Sequence, residues 1–458
     1  MRSSRRSLAW SIFVAGACLA LSGPPLWGAE ANSLRVGAAR VDITPRDLTG
    51  LVSVWAKAFE GVHDPIYARA LVVDDGSATA AFVALDLVEY GSSRPVRERI
   101  ARELGIPVDH VLVTSSHDHN APRGGPITPG TSSERGRPYS TPAYTQQVDD
   151  SILDALRQAK ASLQPARVGI GTGRADINVY RLAYKPDGSW GGADPDGPSE
   201  KTVWVVKFES LSGEPIALLM NYAVHSVVAG PDNALVTGDL AGAVERFVER
   251  QFQDKVVALW TMGPAGDQNP RYNMSVPGEG RDKDPEKNKA AAYAAMEAMG
   301  QILGVEVFQT ASRINRMSPV ARIEAAERVV SCPVKPPSPP PSGAPPGPPA
   351  GGMFGSLRGP VPEPTKTLTA MDLDLQLIRV NQIAITGVSG EVFTNIYRRL
   401  KRESPLSNTI MVTLANDRIG YIPGDADYDR IRNASLARGC AENAIVDNLT
   451  EMMNASIQ

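Results

Sequence analysis

The 458-residue chain has little cysteine, little histidine and few aromatic residues. Three cysteines are too few for a disulfide-dense scaffold or a cysteine-based zinc site. Cys18 lies in the N-terminal segment, which leaves Cys332 and Cys440, either to pair in an oxidising compartment or to stay separate thiols. Basic charge is not in excess: 47 Lys and Arg against 50 Asp and Glu give a net charge of −3. No basic stripe interleaves with aromatics, which argues against nucleic acid as a partner. Past the N-terminus, no apolar run approaches the ~20 residues of a membrane helix. With aromatics at 6%, no apolar loop advertises a docking surface, so membrane contact is expected to be transient if it occurs at all.

What is present begins with a targeting pattern. Arg2, Arg5 and Arg6 precede an apolar run from Leu8 to Leu21, and small residues follow with cleavage points after Ala29 or Ala31. The run is too short to span a bilayer and fits a signal-peptide core. Residues 1–30 are therefore read as a signal peptide, and the product as secreted or periplasmic. Residues 31–458 are expected to form a single domain, with the proline-rich segment 333–364 as a polyproline-like surface loop.

Strand and helix patterns alternate. "ALVVDDGSATAAFVALDLV" predicts two strands around an Asp-Gly turn, and "SRPVRERIARELG" an amphipathic helix closed by Gly105. "YTQQVDDSILDALRQAKASL", "DLAGAVERFVERQF" and "NKAAAYAAMEAMGQILGVEVF" predict further helices. "TVWVVKFES", "PIALLMNYAVHS" and "LTAMDLDLQLIRVNQIAITGV" predict strands. The fold class is mixed α/β (α+β), with mixed β-sheets and surrounding helices.

Polar residues cluster at predicted strand ends. "VTSSHDHNAPRGG" carries His117 and His119, two of only five histidines. If the segment stays extended, residues two apart share a face, and both imidazoles address one cleft. His225 ends the next apolar strand, Asp267, Gln268 and Asn269 follow "TMGPAG", Glu391 follows "ITGVSG", and Tyr421 lies in "NDRIGYIPGD". Each has an ordinary structural alternative: His225 a buried core histidine, Asp239 a helix N-cap, Glu391 a charge at a helix N-terminus, Tyr421 a packing residue. Taken together, the imidazoles, the carboxylate and the phenol supply the three or so protein ligands a catalytic zinc requires.

The ordered segments resemble the neutral/alkaline non-lysosomal ceramidase family. "VGAARVDITP", "GVHDPIYARALVV", "SSHDHNAPRGG", "NYAVHSVV", "VTGDLAG", "GPAGDQNP", "SGEVFT" and "RIGYIPGDADYD" are similar to family segments in the same order. The chain ends soon after the last, so the resemblance is to the catalytic domain without the family's C-terminal immunoglobulin-like domain. The resemblance implies a ceramidase-like fold and a zinc-dependent amidohydrolase that cleaves an N-acyl amide, ceramide or a related lipid, with metal-activated water. By motif it implies Zn2+ held by His117, His225, Glu391 and Tyr421, with His119 as acid/base or orienting group and Arg181 and Asn269 lining the site. His63 lies near an early family histidine. Two positions depart from the pattern. Asn269 stands where the family has serine, and Asp118 where it has threonine between the paired histidines. An amide donates a hydrogen bond to an oxyanion but cannot serve as a nucleophile. Two alternatives stay open: a zinc hydrolase for another amide or ester, and a catalytically weak protein that retains the metal. Oligomeric state is not legible.

Overall fold

The computed structural model describes residues 32–126, 140–186, 190–273, 282–335, 369–431 and 434–457. The expected signal peptide and nearly all of the proline-rich segment lie outside the described residues. The chain enters that segment after Pro333 and returns by Ala370, its partner in an antiparallel pair.

One unit of topology occurs three times. In the first, β1 (Arg35–Asp42), β2 (Tyr67–Asp74) and β3 (Thr79–Leu85) pair antiparallel. Helix α1 (Arg94–Leu104) then crosses over to β4 (Val111–Ser115), parallel to β3, and α2 (Pro142–Ala161) closes the unit. The second repeats this with β5 (Gln164–Arg174), β6 (Thr202–Ser210), β7 (Pro215–Tyr222), α3 (Asp239–Gln251), β8 (Val257–Met262) and α4 (Pro285–Arg313). The third has β9 (Ile323–Pro333), β10 (Ala370–Val380), β11 (Ile383–Val388), α5 (Thr394–Glu403), β12 (Asn408–Thr413) and α6 (Ala441–Ile457). In each, only the last two strands are parallel, because a parallel pair needs a crossover that a helix supplies.

The first two units join through a short β1–β5 pairing into one eight-stranded sheet, ordered β8-β7-β6-β5-β1-β2-β3-β4, while the third forms a four-stranded sheet. Side-chain alternation builds the layers. On β3, Phe82 and Ala84 face the inner core while Ala81, Val83 and Leu85 face helices. Ile410 and Val412 of β12 join the same inner core from the small sheet, and Met411 points away. The two sheets thus stack face to face. Helices α1 and α2 cover one half of the large sheet, α3 and α4 the other half, and α5 and α6 the outer face of the small sheet. The mixed-sheet expectation holds. The helix predictions hold as well, and Gly105 ends α1 in the left-handed conformation at φ 70°. Asp239 is not a helix N-cap: Gly238 takes that place, and the Asp239 carboxylate instead accepts from the Val228 and Ala229 amides. Cys332 and Cys440 form a disulfide between the end of β9 and the start of α6.

Candidate metal centre

The carboxyl ends of all six parallel strands supply residues to one place, as expected for ligand sites in sheets of this kind. His117 and His119 come from the end of β4, His225 from β7, Glu391 from β11 and Tyr421 from the segment after β12. The nitrogens of His117, His119 and His225 lie within 4.8 Å of one another, and among the described residues they form the only histidine, cysteine or acidic cluster so arranged. Glu391 Oε2 lies 3.3 Å from His117 Nε2 and 3.2 Å from His225 Nε2. His119 Nε2 is 3.3 Å from His117 Nε2.

The paired histidines do not converge by strand alternation. The strand stops at Ser115, and His117 sits in the left-handed region at φ 59°. A non-glycine residue held there costs free energy that surrounding contacts must offset, a pattern found at functional sites. The turn that follows carries His119 back toward His117. The His119 amide donates to the Ser226 carbonyl at 3.1 Å, and its own carbonyl accepts from the Val54 amide at 3.3 Å.

Tautomers follow from the partners. His117 Nδ1 lies 2.8 Å from the Val88 carbonyl and His225 Nδ1 3.0 Å from the Gln268 carbonyl. A carbonyl only accepts, so each Nδ1 carries the hydrogen and each Nε2 of the neutral ring presents a lone pair. These lone pairs face Glu391 Oε2, also an acceptor. Acceptors turned on one another at 3.2–3.3 Å call for a cation or a shared proton. A tetrahedral shell of ligands at about 2.0–2.1 Å has edges of about 3.4 Å, which these separations match. The donor set therefore fits a zinc-sized cation. His119 differs: its Nδ1 is buried with no hydrogen-bond partner, and its ring rests against Trp55, centroids 5.5 Å apart.

Burial, then the neighbouring Arg181, lowers the His225 pKa to about 4, and burial with the flanking imidazoles holds His119 well below the usual histidine range. Burial pushes Glu391 upward, but His117, His225 and Arg418 outweigh it and hold the carboxylate well below its ordinary value.

Tyr421 pairs with Glu391 in a short parallel ladder, and its ring lies under the Arg181 guanidinium, 4.9 Å from the centroid. Arg181 Nη1 is 3.5 Å from both His225 Nε2 and Asn269 Oδ1, and Nη2 donates to the Gly266 carbonyl at 2.7 Å. Gly266 is required by close approach, since a Cβ there would lie 2.3 Å from the Glu391 carbonyl oxygen. Asp267, raised to about 6 by burial, accepts from the Thr394 amide and hydroxyl and so ties this loop to the start of α5. Asp118 is fully buried, accepts from the Asn120 amide and has its pKa raised well above normal by burial and by Asp239. His63 is not in the histidine cluster; it bonds Asp64 and stacks on Tyr293.

Sequence reasoning missed two charged residues beside the histidine–carboxylate cluster. Arg418 Nη2 donates to Glu391 Oε1 at 3.1 Å, and Arg418 Nε lies 2.5 Å from Glu89 Oε2. Arg418 is three residues before Tyr421, inside a segment already singled out, but nothing in its composition separates it from a solvated loop arginine.

The model of the N-terminal region of neutral/alkaline non-lysosomal ceramidases matches residues 34–310, more than half of the chain. The chain belongs to this family. Among curated members it is 25% identical over 273 residues to the neutral ceramidase of Drosophila pseudoobscura pseudoobscura, covering 56% of this chain and 38% of that one. It is 26% identical over 300 residues to the neutral ceramidase of Pseudomonas aeruginosa, covering 60% and 42%. The matched region thus spans about two-fifths of these relatives' length. The crystal structure of the Pseudomonas aeruginosa neutral ceramidase superposes with a TM-score of 0.69 at 18% identity, over 93% of this chain and 75% of the other. The ceramidase fold therefore extends well past residue 310, through the segments that carry Glu391 and Tyr421.

Proposed function

We propose that this family member is an exported zinc-dependent amidohydrolase that cleaves an N-acyl amide of the ceramide type into a fatty acid and an amine. The observation that carries the reading is the convergence of two backbone-clamped imidazole lone pairs and one carboxylate oxygen at tetrahedral-edge spacing. His117, His225 and Glu391 would hold the ion, with Tyr421, the fourth ligand that the motif implies, paired beside Glu391. Bound there, zinc would supply Lewis acidity toward the scissile carbonyl and toward water.

The chain's own residues account for the remaining steps. His119, kept neutral by its surroundings and not committed to a hydrogen bond at Nδ1, takes a proton from the attacking water. Water oxygen bonds to the acyl carbon, the carbon–nitrogen bond breaks, and His119 returns the proton to the leaving amine. Arg181 and the Asn269 side-chain amide direct donors toward the carbonyl oxygen, where negative charge develops. With Asn269 in place of serine, this role is that of a hydrogen-bond donor alone. The domain reading is part of the proposal: one catalytic domain from residue 31 onward, with the proline-rich segment as an insert between two paired strands. Export is supported by the N-terminal targeting pattern and by the Cys332–Cys440 disulfide, which suits an oxidising compartment.

Elemental analysis of the purified protein together with turnover of a fluorogenic N-acyl sphingosine tests the reading. One zinc per chain and turnover lost with His117→Ala are expected. A zinc-free protein whose activity survives that substitution would overturn it. Competition between short-chain and long-chain N-acyl amides then fixes the substrate class.

A further inference from the structure

Each repeat contributes one ligand to the histidine–carboxylate cluster and, from the neighbouring strand of the same parallel pair, the group that holds it. In the first, His117 after β4 is held by the Val88 carbonyl after β3. In the second, His225 after β7 is held by the Gln268 carbonyl after β8. In the third, the ligand Glu391 follows β11, and the group that meets it after β12 is Arg418. The change of partner follows from chemistry. An imidazole N–H needs an acceptor, which backbone provides, whereas a carboxylate needs a donor. A guanidinium is the strongest fixed donor available.

We propose that Arg418, restrained by Glu89, is the positioning residue that limits Glu391 to binding the metal through one oxygen, an inference that rests on the metal reading above. The geometry divides the two carboxylate oxygens. Oε2 faces both imidazole Nε2 atoms at 3.2–3.3 Å, and Oε1 accepts from Arg418 Nη2 at 3.1 Å. With Oε1 engaged by Arg418, bidentate ligation would have to compete with that bond, which would favour a single metal contact and leave a coordination position for water and substrate, as a catalytic zinc would require.

Arg418 alone would be a hazard. A guanidinium prefers to grip both oxygens of one carboxylate, and doing so here would draw Oε2 off the metal. Glu89 prevents this. Its Oε2 lies 2.5 Å from Arg418 Nε, and its Oε1 accepts from Arg123 Nε at 2.9 Å. Arg123, Glu89, Arg418 and Glu391 thus alternate in charge up to the imidazoles. Glu89 and Glu391 side chains are 2% and 0% exposed and Arg418 is 14% exposed, so solvent screens the series weakly. The restraint belongs to the first repeat and the restrained ligand to the third.

The test uses the full chain loaded with Co2+ in place of zinc, since the visible spectrum of cobalt reports coordination number. Zinc affinity is measured in parallel by competition with a chromophoric chelator. Wild type is expected to give the intense bands of a four-coordinate ion. Arg418→Met frees Oε1, so its bands weaken toward a five-coordinate spectrum. Glu89→Gln lets Arg418 close on Glu391, so zinc affinity falls at least tenfold while the spectrum keeps its four-coordinate form. Arg418→Lys, which keeps the charge with a single ammonium head, falls between wild type and Arg418→Met. If Arg418→Met does not fold by circular dichroism, the other two variants decide. Folded variants with unchanged spectra, and zinc affinities within twofold of wild type, would sink this proposal and leave the metal centre standing. A wild-type chain that binds neither cobalt nor zinc would remove both.

Discussion

The first and third repeats share a strand order and a crossover but arm their parallel strands in opposite ways. The first places its ligand on the fourth strand and its clamp on the third; the third reverses the assignment. The difference shows that the frame fixes where functional groups emerge, namely the carboxyl ends of a parallel pair, without fixing which end carries which group. It also singles out His119, which shares a repeat with His117 yet has no partner at Nδ1. On the proposed roles, a ligand is clamped at its far nitrogen and a proton carrier keeps that nitrogen uncommitted.

Breaking a ligand should have the largest effect. His117→Ala or Glu391→Ala is expected to take the metal content from about one per chain toward zero and turnover to background, read by elemental analysis and the N-acyl assay. If only one of the two abolishes metal binding, the equivalence of the first and third repeats fails.

Next comes the covalent tie of the third repeat, which has no counterpart in the first. The bond joins residues 108 apart, and replacing Cys332 and Cys440 by serine should lower stability by about 2–5 kcal/mol, seen as a fall in Tm.

Acid sharpens the distinction between clamped and unclamped histidines. The folded pKa of His225 is lowered to about 4 while the unfolded ring titrates near 6.5. Between those values the unfolded metal-free chain binds more protons than the folded one. Stability contributed by this neutral histidine is therefore full above about pH 6.5 and is lost as pH falls toward 4, by up to roughly 3 kcal/mol. A urea titration series on chelator-treated protein from pH 7 to pH 4 should show this slope, reduced in His225→Gln.

The smallest effect is expected at Trp55. Trp55→Ala removes the ring that backs His119 and should lower kcat about tenfold with metal content unchanged, while Trp55→Phe recovers most of the loss. A parallel loss of metal would place His119 among the ligands instead.

Much of the site was legible because its residues are scarce or sit where patterns change. Two histidines of five share one motif, and Glu391 and His225 close apolar runs that read clearly as strands. The expected route of convergence was wrong: hydrophobic alternation marks a strand but not the residue at which the chain turns, and His117 departs into the left-handed region just past it. Arg418 and Glu89 escaped notice because a buried charge is recognised by its partners, and these lie far apart in sequence. The threefold topology escaped as well. Its repeats share a hydrogen-bonding plan, which backbone enforces, while connections such as the proline-rich insert between β9 and β10 differ in length and composition.

The distribution of ligands over three repeats bears on how the protein matures. His117, His225 and Glu391 each belong to a different repeat, so no repeat alone can hold the ion tightly. High-affinity capture of the proposed metal would then act as a check that all three have folded and docked. A chain truncated or misassembled in any one of them would pass through a metal-containing compartment without retaining the cofactor, and inactive products would be distinguished by chemistry rather than by shape.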